Sequence, residues 1–203
     1  MKPAALGFQM HSGWGVLVAV AGNADALEII DRKRITVMDA AMRGAKQPYH
    51  HAATLQLPES ERHIENCAAV SEHMAVAAIE LVIEELNMRE YRVDRCALLL
   101  GAGRPLPPLA KILAAHPLIH TAEGEFFRNA IRKACERLQI PVEALRERDL
   151  ADRASAAFRG SASRVQQRIV TAGSSIGPPW TRDHKSAALA AMIALSAAPR
   201  TRP

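Results

Sequence analysis

The chain has 203 residues, of which 49% are hydrophobic and 23% charged, enough for one compact domain with a sizeable core. The 26 basic and 21 acidic residues give a net charge of +5, which permits a nucleic-acid or phosphate partner without demanding one and is equally that of an arginine-rich solvated surface. Three cysteines, Cys67, Cys96 and Cys135, lie far apart inside apolar patterns with no CxxC, which excludes a zinc knuckle or a disulfide framework and points to buried thiols.

The first forty residues read as an antiparallel meander. Ala5–Met10 alternates bulky Leu6, Phe8 and Met10 with Ala5, Gly7 and Gln9. A break at His11-Ser12-Gly13 leads to Gly15–Ala21, whose run Val16-Leu17-Val18-Ala19-Val20 suits a strand covered on both faces. A second break at Gly22–Asp25 leads to a third strand, Leu27–Met38. From Met42 to Leu57 the glycine and prolines predict a loop, and Tyr49-His50-His51 is read as a surface stretch, because adjacent histidines need a third ligand to hold a metal.

Ser60 to Asn87 is the clearest predicted helix, with Ile64, Cys67, Ser71, Met74, Ala78, Leu81 and Val82 as its apolar stripe. His63 and His73 fall on its flanks. A fourth strand, Val93–Leu100, runs into Gly101-Ala102-Gly103-Arg104, where backbone N–H groups and a guanidinium suit an anion. The same glycines also suit a plain flexible loop; the lysine of a phosphate-binding loop and the third glycine of a dinucleotide fingerprint are missing. A short helix is expected at Leu109–Ala115. A longer one is expected from Thr121, as N-cap, to Leu138, with Glu123 and Glu125 in its first turn.

Pro141–Leu145 reads as a fifth strand, followed by a basic, helix-prone segment to Thr171 in which Arg164 and Arg168 sit one turn apart. Gly173–Pro179 is a predicted loop. Thr181 caps a closing helix, Arg182–Leu195, apolar nearly all round from Ala187 and therefore buried. Residues 1–198 form one expected domain and 199–203 a flexible tail. The N-terminus does not read as a signal peptide and no uninterrupted apolar stretch reaches about 20 residues, so the expectation is a cytoplasmic protein without a membrane partner.

This order of elements resembles the ribonuclease H-like fold and, within it, the RuvC-type Holliday-junction resolvases. Gly7-Phe8-Gln9 with Gly13-Trp14-Gly15-Val16 looks like that group's Gly-Ile-Asp turn and Gly-Tyr-Gly-Val second strand. Asp183-His184-Lys185-Ser186-Ala187-Ala188-Leu189-Ala190 is similar to its acidic, alanine-rich terminal helix. The resemblance implies an α/β domain with a mixed five-stranded sheet, a three-strand antiparallel meander and then parallel strands, flanked by helices. It also implies carboxylates holding two Mg²⁺ or Mn²⁺ ions at the sheet's end.

Most of those acids are missing. Gln9 stands where the first-strand aspartate belongs, no glutamate lies near Gly101, and Ser186 replaces the second acid of the last helix. Asp183 survives, with His184 beside it as a second catalytic candidate. Asp183 and Glu123 are the candidate metal ligands, and His11, His184 and Glu125 the residues from which a different site would be rebuilt.

Three functions follow. One is a non-catalytic domain binding nucleic acid or another phosphate-bearing ligand through Arg104, Arg128, Arg164 and Arg168, with Gln9, His11, Gly101 and Gly103 lining the site. Another is a metal-dependent nuclease with a rearranged centre. The third is a homodimeric interaction module.

Overall fold

The computed structural model describes residues 1–101 and 105–197. Strands β1 (Lys2–Met10), β2 (Trp14–Ala21) and β3 (Glu28–Thr36) form the expected meander. Helices α1 (Pro48–Ala52) and α2 (Leu57–Met88) follow, then β4 (Tyr91–Leu100), α3 (Leu109–Leu113), α4 (His116–Arg137) and β5 (Val142–Arg146). After a 3-10 turn at Glu147–Asp149 come α5 (Leu150–Phe158), a second 3-10 turn, α6 (Ala162–Thr171), α7 (Gly173–Ile176) and α8 (Arg182–Ser196). The sheet order is β3-β2-β1-β4-β5. The β1–β2 and β2–β3 pairs are antiparallel, and β1–β4 and β4–β5 parallel. This is the mixed five-stranded sheet of the ribonuclease H-like arrangement.

Side chains alternate across each strand, so the sheet feeds two separate cores. Leu6, Phe8, Met10, Leu17 and Ala19 pack with α2 and α4 on one face. Ala5, Val16, Val18, Val20, Ala97 and Leu99 pack with α5, α6 and α8 on the other. The continuous apolar run in β2 is therefore covered on both sides. All three cysteines are buried and unbonded to one another by disulfide.

On the second face, α8 lies so close to β1 that a Cβ built at Gly7 would stand 1.9 Å from the carbonyl oxygen of Ala187 and 3.1 Å from the Cβ of Ala191. Only a residue without a side chain permits this approach. The alanines of α8 supply the other half of the fit: Ala187, Ala188, Ala190, Ala191 and Ala194 are all fully buried.

Several expectations are corrected, and three share one cause. The stretch read as a loop contains α1, α2 begins at Leu57, and α4 begins at His116 instead of Thr121. Pro48, Pro58 and Pro117 occupy the first turns of these helices, where the missing N–H has no intrahelical partner to lose. Thr121 is consequently no N-cap; its hydroxyl donates to the carbonyl of Pro117 inside the helix (3.0 Å). Glu123 and Glu125 lie beyond the first turn. The loop at Gly173–Pro179 includes α7.

The buried stripe of α2 is also rotated. Cys67, Ser71, Ala75, Ile79, Val82 and Leu86 face inward, while Leu81 is 60% exposed. By length and composition α2 is long and apolar enough to cross a membrane, unlike the sequence expectation. One third of its most apolar stretch is buried, and this is the face laid on the sheet. The tail at 199–203, with residue 198, lies outside the described residues.

Gly7→Ala is expected to destabilise the domain by about 3 kcal/mol or to prevent folding, since the obstacle is backbone. Gly160→Ala, where a Cβ meets nothing within 4 Å, should stay within about 0.5 kcal/mol of wild type. Urea unfolding followed by circular dichroism compares them. Equal stabilities would contradict the packing of α8 on β1.

Candidate functional site

The close packing at Gly7 sets what meets at the carboxyl edge of β1. Gly7 abuts Ala187, and four residues on, His11 Nε2 lies 3.0 Å from Asp183 Oδ2. Gln9, between them and on the same face of β1, therefore lies against the first turn of α8. The amino-terminal hairpin and the last helix thus converge as the resemblance implies.

His11 is stacked on Trp14 with ring centroids 4.4 Å apart and planes 20° from parallel, and the guanidinium of Arg34 sits 3.7 Å from the centre of the Trp14 ring. This stack orients the imidazole toward Asp183. Trp14 and Arg34 are site residues that no charge or spacing signal singles out, since they meet only through the register Trp14↔Thr36 of the β2–β3 pair.

His184 does not face this pair as a reactive group. It is 8% exposed, and its Nδ1 accepts from the backbone N–H of Thr181 (3.2 Å) and lies 2.8 Å from the Thr181 hydroxyl. With Thr181 it closes a capping box in which a histidine replaces the usual Glu or Gln. The Nδ1 nitrogen is thus engaged in capping the helix on which Asp183 also lies. Burial, with Arg32 second, holds the pKa of His184 below the ordinary histidine value against the opposing pull of Asp183.

At the end of β4, Arg128 reaches from α4 to the strand. Its Nε donates to the carbonyl of Leu99 (3.2 Å), one terminal nitrogen pairs with Glu125 Oε1 (3.2 Å), and the guanidinium covers Gly101. Beside it, Leu100, Gly101, Arg146, Glu147, Arg148 and Arg182 line an open groove of about 410 Å³. Arg182, at the start of α8, is joined to Glu147 at 2.8 Å. Arg146, Arg148 and Arg182 escape a reading by spacing, because Arg146 ends β5, Arg148 lies in the turn after it and Arg182 lies beyond α6.

The other candidates are dispersed. Arg164 pairs with Asp25 at 2.8 Å, and Arg168 lines a different groove with Leu27, Ile29 and Thr171. Arg128 belongs to the α2/α4 layer and Arg164 and Arg168 to the α5/α6/α8 layer, so the single basic face drawn from these residues is divided by the sheet. Gly103 and Arg104 lie outside the described residues.

Glu123 is 5% exposed. Its Oε1 accepts from the backbone N–H groups of Tyr49 (2.9 Å) and His50 (3.0 Å), and from His50 Nδ1 (3.1 Å), which caps α1 from a neighbouring helix. Burial raises its pKa, and the donors from His50 and Tyr49 offset part of the rise. Glu123 and Asp183 are on opposite layers and are held by different histidines; they do not form one ligand set.

The residues at the sheet edge do not fit a two-metal centre. Hard divalent ions bridged by carboxylates need several negative oxygens. Gln9 contributes a neutral amide whose Oε1 is buried without a hydrogen-bond partner, Asp183 already faces His11, and Glu125 and Glu147 are paired with Arg128 and Arg182.

No protein-family model matches the sequence, and no curated protein matches it. Among solved structures the chain is similar to Thermus thermophilus RuvC in complex with a Holliday junction substrate, at 11% identity and TM-score 0.49, covering 94% of this chain and 90% of that one. It is similar to another Thermus thermophilus RuvC structure at 12% identity and TM-score 0.46, covering 94% and 92%. The Aquifex aeolicus member of the Ppx/GppA family matches at 13% identity and TM-score 0.32, over 78% of this chain and 40% of that one. Such identities speak to chain path only, and the reading of the site rests on its own residues.

A histidine whose native pKa lies below its unfolded value gains a proton on unfolding. Its contribution to stability is fully present above about pH 6.5 and lost as the pH falls through the native value. His184→Gln keeps a capping-box partner and removes that proton. Its loss of stability between about pH 7 and pH 5 should be smaller than wild type's in urea titrations at each pH; identical declines would contradict the assignment.

Proposed function

We propose that this chain is a ribonuclease H-like domain that binds nucleic acid, or another phosphate-bearing ligand, at the carboxyl edge of its sheet without two-metal hydrolysis. The observation that carries this reading is the groove in which Arg146, Arg148 and Arg182 converge beside Gly101. Guanidinium groups match phosphate oxygens in pairs. Arg128, braced by Leu99 and Glu125, supplies positive charge behind that glycine. The uncharged Gln9 leaves the edge without the cluster of carboxylates that would repel a phosphate in the absence of metal.

A second reading is favoured by the His11–Asp183 pair. An imidazole oriented by a carboxylate can take a proton from water, which is one part of a hydrolytic centre. Cleavage of branched or single-stranded DNA by the wild type with Mn²⁺, abolished by Asp183→Asn, would select it over the first.

Fluorescence anisotropy with short labelled duplex, single-stranded and branched DNA tests the first reading. Affinity should fall steeply with salt, by a slope of about 0.9 per duplex phosphate contacted. Replacing Arg146, Arg148 and Arg182 together by alanine should weaken binding about tenfold or more and flatten the slope by about 2 to 3. Arg164→Ala with Arg168→Ala should have a smaller effect. Undiminished binding by the triple variant would refute the groove as the site.

A further inference from the structure

On the opposite layer from Asp183, α1 and the first turns of α4 bring three histidines together. His116 and His120 are four residues apart on one helix, hence on one face, and their Nε2 atoms are 2.9 Å apart. His50, from α1, completes the group: one ring nitrogen from each of the three lies within 4.8 Å of the others. Among the described residues no other group of histidines, cysteines and carboxylates converges this closely. The rings meet edge to face, at 81° for His50 and His116, 67° for His50 and His120, and 86° for His116 and His120. Mutually steep planes let three imidazoles direct lone pairs at a common point. A tetrahedral zinc ion with Zn–N bonds of about 2.0–2.1 Å has nitrogen–nitrogen edges of about 3.3 Å, so sub-ångström to ångström shifts of exposed side chains would close the set.

A further feature separates this group from a chance meeting of surface histidines. His50 Nδ1 is engaged by the buried carboxylate of Glu123, which, having no proton to give as an anion, makes Nδ1 the donor and leaves Nε2 with its lone pair. A histidine held by a carboxylate through its far nitrogen is the usual outer support of a zinc ligand. The same Glu123 oxygen holds the backbone N–H groups of Tyr49 and His50, so the ligand's main chain and its ring are fixed by one group. Ile112, Ile119 and Ala122, with Tyr49 against them, form a small core that docks α1 and α3 on α4. Glu123 Oε2 is buried with no hydrogen-bond partner, so the carboxylate keeps charge that its donors do not fully satisfy. A cation beyond His50 would offset it.

We propose that His50, His116 and His120 bind one divalent transition metal, zinc by ligand type, with Glu123 as the carboxylate that orients His50. Three neutral imidazoles suit zinc, copper or nickel and not magnesium or calcium, which favour oxygen. His116 and His120 are exposed, so the fourth position faces solvent and is open to water or to a donor from a ligand. Occupancy would join α1 to α4, on the layer that also carries Arg128. The proposal is independent of the sheet-edge groove.

Metal-free full-length protein, prepared with chelator, is titrated with ZnCl₂ by calorimetry, and Co²⁺ is used as a spectroscopic substitute. Wild type should bind one equivalent of zinc with a rise in Tm, and Co²⁺ should show the intense visible bands of a tetrahedral site. His116→Ala with His120→Ala should abolish the equivalent and the bands while circular dichroism confirms the fold. Glu123→Gln should weaken zinc about 10–100-fold. His63→Ala, which alters the neighbouring His51–His63 contact, should change neither stoichiometry nor bands. No saturable equivalent in wild type, or one that survives the His116/His120 double substitution, would overturn the proposal. Loss of that equivalent in His63→Ala would do the same.

Discussion

The approach of α8 to β1 at Gly7 is the constraint on which the site depends. A backbone carbonyl stands where any side chain at residue 7 would have to be, so the helix is seated by steric fit against the strand and not by flexible side chains. Because Ala187, Ala188, Ala190, Ala191 and Ala194 are buried there, α8 can lie this close to the strand. The consequence at its amino end is chemical. Asp183 is delivered to His11, and Arg182 is placed beside the ends of β4 and β5.

Electrostatics then decides what that edge can hold. The resemblance calls for negative charge shared among several oxygens, whereas Asp183 faces an imidazole and the adjoining groove is lined by three arginines and Glu147, which pairs with Arg182. Arg128 reaches the end of β4 from the other layer, donating to the carbonyl of Leu99 and pairing with Glu125. The hairpin and the terminal helix converge, with the single carboxylate of Asp183 beside His11 and the neutral Gln9.

The sheet was legible because its signals are local and redundant. Alternation in β1, the apolar run in β2 and the Gly/Asn breaks each point to the same meander. Helix starts are less legible, because a proline reads as a breaker in the sequence, whereas Pro48, Pro58 and Pro117 all stand in first turns. A helix starting at Thr121 leaves His116 and His120 outside it and hides their shared face. In α2, alanine and leucine on several sides make the stripe ambiguous, and Leu81 looks as buried as Ile79 until the sheet is in place. The arginine groove was not legible at all, because Arg146, Arg148 and Arg182 are joined only by the parallel pairing of β4 with β5 and the return of α8. The capping role of His184 is hidden for the opposite reason, since it is local but uses an uncommon residue.

Anomalous diffraction from crystals soaked in Mn²⁺ tests the central claim, that this sheet edge does not hold paired metals, most directly. The account predicts no manganese peak within coordination distance of both Gln9 and Asp183. Two peaks about 3.5–4 Å apart between those residues would contradict it.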